Sequence, residues 1–165
     1  MIVVVMGVAS AGKTRVAMAL SDRTGWARIE GDDLHPESNR VKMTAGTPLT
    51  DDDRWPWLDA IGTEMAGHAA AGTSVVVTCS ALKRTYRDRL RNACPDVRFL
   101  FLHGPRWLLE KRMNGRKGHF MPPALLPSQL ATLELPGKDE PDVIRGDIRK
   151  SVRWITDRFL EETQS

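Results

Sequence analysis

Gly7-Val8-Ala9-Ser10-Ala11-Gly12-Lys13-Thr14 fills every specified position of G-x-x-x-x-G-K-[ST], the phosphate-binding loop. Glycines at both ends let the backbone curl until successive N–H groups point inward at phosphate oxygens. Lys13 can then reach the β- and γ-phosphates, and the Thr14 hydroxyl can ligate Mg²⁺. A helix opening at Lys13 aims its positive end at the same anion. The competing reading is a ligand-free glycine turn between a strand and a helix. Context decides against it. Met1-Ile2-Val3-Val4-Val5-Met6 is a short apolar, β-branched run, as a buried parallel strand requires. Val16, Ala17 and Leu20 keep helical spacing on a helix ending near Gly25. Gly7, Ala9, Ser10, Ala11, Gly12, Lys13 and Thr14 are therefore the expected nucleotide-binding residues.

The remainder of the 165 residues suits one domain, residues 1–165, with a substantial core. Hydrophobic residues at 41% and charged residues at 27% are ordinary for a globular protein. No run approaches a membrane span, and the apolar start is too short for a signal peptide. Cys79 and Cys94 read as reduced thiols rather than a disulfide. These features predict a cytoplasmic protein. The net charge of +3 comes without a basic tract interleaved with aromatics, so neither nucleic acid nor membrane is an expected partner. A homodimer is compatible with the sequence.

Ala27-Arg28-Ile29-Glu30 predicts a second strand, ending in Gly31-Asp32-Asp33-Leu34-His35-Pro36. Acidic residues there can hold Mg²⁺ or orient a substrate hydroxyl, or they can cap the helix from Pro36 to Thr44. Residue type alone leaves both readings open. Thr50 opens a helix on which Trp57, Ile61 and Met65 form a core stripe, with Trp55 and Trp57 read as packing. Ser74 to Cys79 is a buried strand followed by Ser80-Ala81-Leu82-Lys83, and Lys83 and Arg87 are spaced to share a helix face. Val97 to Leu102 is another strand, and Pro105 begins a helix carrying Arg112. The stretch from Asn114 to Pro123, with its basic residues between glycines and prolines, predicts a short lid bringing charge to the transferring group. Leu125 to Leu133 is helical, Asp142-Val143-Ile144 a weak last strand, and Val152, Ile155 and Phe159 the apolar face of a final helix. Strands alternating with helices give a three-layer α/β domain with a parallel sheet.

Several blocks, in order, resemble the gluconokinases of the shikimate-kinase-like group. They are the phosphate loop; Gly31-Asp32 with Leu34-His35-Pro36 and Asn39; Lys42-Met43 with Asp51-Asp52-Asp53-Arg54; Pro56-Trp57-Leu58; Ser80-Ala81-Leu82-Lys83 with Tyr86-Arg87-Asp88; Arg116-Lys117-Gly118-His119-Phe120; and Gln129 with Thr132-Leu133-Glu134. The resemblance runs from Val4 to about Asp147. It implies a P-loop NTPase fold, a five-stranded parallel sheet with a lid near 114–123, and ATP-dependent phosphorylation of D-gluconate with Mg²⁺. Lys13, Asp32 and Arg116 match the catalytic positions, Asp32 facing the attacking hydroxyl. Arg112 joins the nucleotide site, and Thr14 and Asp32 the metal site. Asp32, His35, Arg54, Lys83, Arg87, His119 and Gln129 match the acceptor pocket, with Arg suited to bidentate carboxylate recognition. Glu30 stands where the family pattern has aspartate, Asp33 where it has an apolar or aromatic residue, and Arg145-Gly146 falls in the last strand. Two alternatives share the motifs: a kinase of the same fold for another small hydroxylated acid such as shikimate, and a nucleotide-binding regulatory protein with little turnover.

Overall fold

A computed structural model describes residues 1–115 and 122–165. Five parallel strands form its sheet: β1 (Ile2–Met6), β2 (Ala27–Glu30), β3 (Val75–Thr78), β4 (Arg98–His103) and β5 (Val143–Asp147). Their order across the sheet is β2-β3-β1-β4-β5, so β1 is central. That position follows from its sequence. Ile2 to Met6 have no polar alternation, and every one of them is buried. Val5 pairs with Thr78 on one side and Leu100 on the other. The chain leaves β1 for β2 and β3 on one side, then returns for β4 and β5 on the other. A topological switch point therefore lies at the carboxyl end of β1, where such sheets open a crevice.

Among the described residues, seven α-helices cover the sheet: α1 (Lys13–Thr24), α2 (Glu37–Thr44), α3 (Asp51–Ala70), α4 (Arg84–Ala93), α5 (Arg106–Asn114), α6 (Leu125–Thr132) and α7 (Val152–Gln164). α1 packs beside α7, and α3 beside α4. α1 ends at Gly25 in the left-handed conformation (φ 75°), which costs glycine little. α3 begins with a capping box, the Thr50 hydroxyl accepting from Asp53 N–H while the Asp53 carboxylate accepts from Thr50 N–H. Its Trp57, Leu58, Ile61 and Met65 are buried, each contributing about 1.5–3 kcal/mol of apolar burial. Both cysteines are free and buried, and no helix among the described residues is long and apolar enough to cross a membrane.

β5 is longer than its sequence predicts. It runs through Arg145 and Gly146, which pair with Phe101 and Leu102. Arg145 donates to the Pro136 carbonyl at 2.7 Å and lies over the Phe101 ring. A Cβ on Gly146 would stand 2.9 Å from Ile155 Cγ2, so the glycine is what lets α7 approach the sheet.

Candidate active site

The phosphate loop lies at the switch point, pressed against β4. Gly7 and Gly12 take φ 147° and 93°, and a Cβ on Gly7 would lie 2.8 Å from the Leu102 carbonyl oxygen. Ser10 also has positive φ (64°), and its hydroxyl donates to the Leu109 carbonyl at 2.8 Å, tying the loop to α5. No side chain caps α1 at Gly12, which leaves its first N–H groups for an anion. Lys13 Nζ donates to the Gly7 and Val8 carbonyls at 3.1 and 3.0 Å. Ala9 N–H donates to Gln129 Oε1 at 2.7 Å, so α6 reaches the loop.

Two carboxylates face this loop from the end of β2. The Thr14 hydroxyl donates to Glu30 Oε1 at 2.9 Å, and the Thr78 hydroxyl donates to the same oxygen at 2.6 Å. Thr78 also accepts from Gly31 N–H at 3.0 Å, clamping the turn that carries Asp32 to β3. Only glycine fits at 31, because a Cβ there would fall 1.9 Å from the Thr78 carbonyl oxygen. Glu30 and Asp32 line one cleft with Ala9, Ser10, Gly12, Lys13 and Thr14. With its proton on Glu30, Thr14 keeps its oxygen lone pairs for a cation. Mg²⁺ holds several waters and takes one or two carboxylates plus phosphates, which fits this donor set. Among the described residues no cluster of three or more His, Cys, Asp or Glu forms an all-protein cage. Glu30, which departs from the family pattern, is joined to the phosphate loop through Thr14, a partner 16 positions away that its local sequence does not show.

Opposite the loop, the cleft is lined by His35, Arg54, Trp57 and Gln129. The N-cap of α2 is Pro36 without a side-chain cap, so the acidic residues of the preceding turn do not serve as its cap. His35 is buried, stacked on Trp57 with ring centroids 4.0 Å apart, and accepts at Nδ1 from Asn39 at 3.2 Å. Burial first, then Arg40 and Arg54, lowers its pKa to about 4. Its Nε2 lies 4.0 Å from Asp32 Oδ1. Trp57 is both core and site wall, donating from Nε1 to the Gly31 carbonyl at 2.8 Å. Arg54 is held by one nitrogen, which donates to the Leu49 carbonyl at 2.7 Å and to the Tyr86 hydroxyl at 3.0 Å. Tyr86 in turn donates to Asp51. Burial, then that contact, pushes the Tyr86 hydroxyl up to about 12.

Two expected acceptor residues are not brought to the cleft. Lys83 precedes α4 rather than sharing its face, and its Nζ pairs with Asp51 at 3.1 Å. Arg87 is turned inward. Its side chain is 0% exposed, and its Nε and one terminal nitrogen make a bidentate pair with Glu140 at 2.7 and 2.8 Å. The other terminal nitrogen donates to the Ala81 and Leu82 carbonyls, so Arg87 braces the loop after β3 from inside. Arg112 lies beside the phosphate loop, donating to the Ile148 carbonyl at 2.9 Å and lining a groove with Gly12, Arg15 and Lys150. Arg116 and His119 lie outside the described residues.

Comparison with known proteins agrees with this arrangement. Residues 2–136 match a family described as AAA domain. The chain is 52% identical over 162 residues to the gluconokinase of Gluconobacter oxydans, covering 98% of this chain and 90% of that protein. The gluconokinase structure from Sinorhizobium meliloti superposes with a TM-score of 0.84 at 49% identity, covering 94% of this chain and 86% of that one. The unliganded structure of a sugar kinase from a Janibacter species gives a TM-score of 0.92 at 49% identity, with 97% and 92% covered. A phosphate loop facing paired carboxylates, on a chain this similar to those proteins, places it in the gluconokinase family of P-loop kinases.

Proposed function

We propose that the chain transfers the γ-phosphoryl group of ATP to D-gluconate, forming 6-phospho-D-gluconate and ADP. The observation that carries this reading is one cleft lined by Lys13 and Thr14 on one side and by Asp32, His35 and Arg54 on the other. Phosphoryl transfer passes through a loose transition state, so positioning and charge neutralisation dominate. Loop N–H groups and Lys13 receive the phosphates. Asp32 orients the attacking hydroxyl and takes its proton as the new O–P bond forms and the bond to ADP breaks. Arg54, with one nitrogen already anchored, presents the rest of its guanidinium to the gluconate carboxylate. Arg112 faces the nucleotide, Arg116 the transferring group, and Gln129 joins the loop to the acceptor pocket. Thr14 and Asp32 would hold Mg²⁺, which when bound offsets the negative charge of the phosphates. A coupled ADP-release assay across gluconate, other sugar acids and shikimate tests the assignment. Gluconate should show the highest kcat/KM; a preference for another acid would move the acceptor, and no acceptor-dependent release would remove the kinase reading.

A further inference from the structure

We propose that Asn39 is a positioning residue, holding His35 as its Nε2–H tautomer so that the neutral ring donates to the same acceptor hydroxyl that Asp32 orients. The inference rests on Asp32 facing that hydroxyl. Asn39 is 1% exposed, and its amide nitrogen lies 2.8 Å from the Asp53 carbonyl oxygen. A carbonyl only accepts, so it is the NH₂ of Asn39, not its oxygen, that faces Asp53. The same nitrogen lies 3.2 Å from His35 Nδ1 and spends its second N–H there. Nδ1 must then present its lone pair, and the ring carries its proton on Nε2. A second proton on Nδ1 would set two donors against each other in a buried site.

The Nε2–H side of the ring is turned to Asp32, whose Oδ1 is 4.0 Å away. That is too long for a direct hydrogen bond. Two atoms so spaced both lie within about 2.8 Å of one common point, subtending roughly 90° there. A hydroxyl oxygen at that point accepts from His35 Nε2–H and donates to Asp32. Stacking on Trp57, 16° from parallel, keeps the ring in that plane. The division of labour follows from charge. An imidazolium would pair with Asp32 and compete with the substrate for it. A neutral ring fixes the oxygen while Asp32 takes the proton, and His35 keeps its own proton throughout.

The test reads the tautomer directly. Two-bond ¹H–¹⁵N correlation spectra of the ligand-free protein at pH 7 should show His35 with a protonated Nε2 and an unprotonated Nδ1. In Asn39→Leu the pattern should shift toward a mixture of tautomers. His35→Gln, which retains a donor where Nε2 stood, should keep a kcat about tenfold above that of His35→Asn, each with ATP KM unchanged. A proton on Nδ1 in the parent, an unaltered tautomer in Asn39→Leu, or equal kcat for the two His35 variants would overturn the proposal. The spectra need no acceptor, so a wrong acceptor assignment and a wrong tautomer are separable results.

Discussion

Replacing Arg87 with methionine removes the inner half of an ion pair whose partners are 0% and 1% exposed. Two carbonyls, of Ala81 and Leu82, lose a donor at the same time. Removing one member of a buried pair costs about 3–5 kcal/mol, because the remaining charge is stranded. Here Arg91 still donates to Glu140 at 2.7 Å, which argues for the lower end, about 3 kcal/mol. For a chain of this length that lowers Tm by roughly 6–12 °C. Arg87→Met/Glu140→Leu should recover most of the loss, since an apolar pair of similar volume can replace a buried salt bridge. Urea unfolding at pH 7 measures the stability, and gluconate KM is read at a temperature where both variants are folded. KM should stay within about threefold of the parent, as no charge-assisted bond worth tenfold or more is lost to the substrate. Unchanged Tm with a tenfold higher gluconate KM would refute the reasoning and return Arg87 to the acceptor site.

Acid should destabilise the fold in two stages. His35 titrates near 4 instead of 6.5, so the unfolded chain binds its proton first and stability falls between pH 6.5 and 4. Burial raises the Glu140 pKa, but hydrogen bonds from Arg87 and Arg91 prevail and hold it at about 2 instead of 4.5; its contribution is whole above pH 4.5 and lost toward pH 2. Each stage is worth about 3 kcal/mol at 1.36 kcal/mol per pH unit, and a urea midpoint that stays flat from pH 6.5 to 4.5 would contradict the first. Thr78→Val leaves Gly31 N–H unpaired and removes one of the two hydroxyls that hold the Glu30 carboxylate, so it should cost about 1–3 kcal/mol and raise the Mg²⁺ concentration needed for half-maximal rate; a parental Mg²⁺ curve would exclude Glu30 from metal placement. Arg54→Ala should raise gluconate KM about tenfold to a hundredfold with little change in ATP KM, and equal effects on both would place Arg54 outside the acceptor site.

What could be read from the sequence was what is local. The apolar run of β1, the glycines of the loop, the helix start at Thr50 and the stripe on α3 each work over a few residues, and each recurs in the structure. Pairings across long stretches of chain were illegible. Arg54 and Arg87 are the same residue type on neighbouring helices, yet one faces the cleft and the other is claimed by Glu140, 53 positions away. Spacing said that Lys83 and Arg87 share a face; Asp51 and Glu140 pull them apart. The two readings of the acidic turn were separated only by the backbone, where Pro36 rather than an acid is the N-cap of α2. Glu30 looked like a departure because its partners Thr14 and Thr78 come from two other elements. β5 looked weak because its support is the Pro136 carbonyl and the close approach of α7, neither of which is a strand propensity.

A central first strand also has a consequence for synthesis. Ile2 pairs with Val75 and Val3 with Arg98, partners that lie 73 and 95 residues further along. At about 5–20 residues per second, those partners follow β1 from the ribosome by several seconds or more. Until then five apolar residues have no sheet to enter, and the loop behind them has no β4 to lean on. Contacts so distant in sequence also slow refolding, since each closure is paid in chain entropy before any pairing is gained. Interrupted translation before residue 98 would thus leave a sticky, ligand-blind fragment: the ATP loop is made before both of its neighbours and becomes a site only after them.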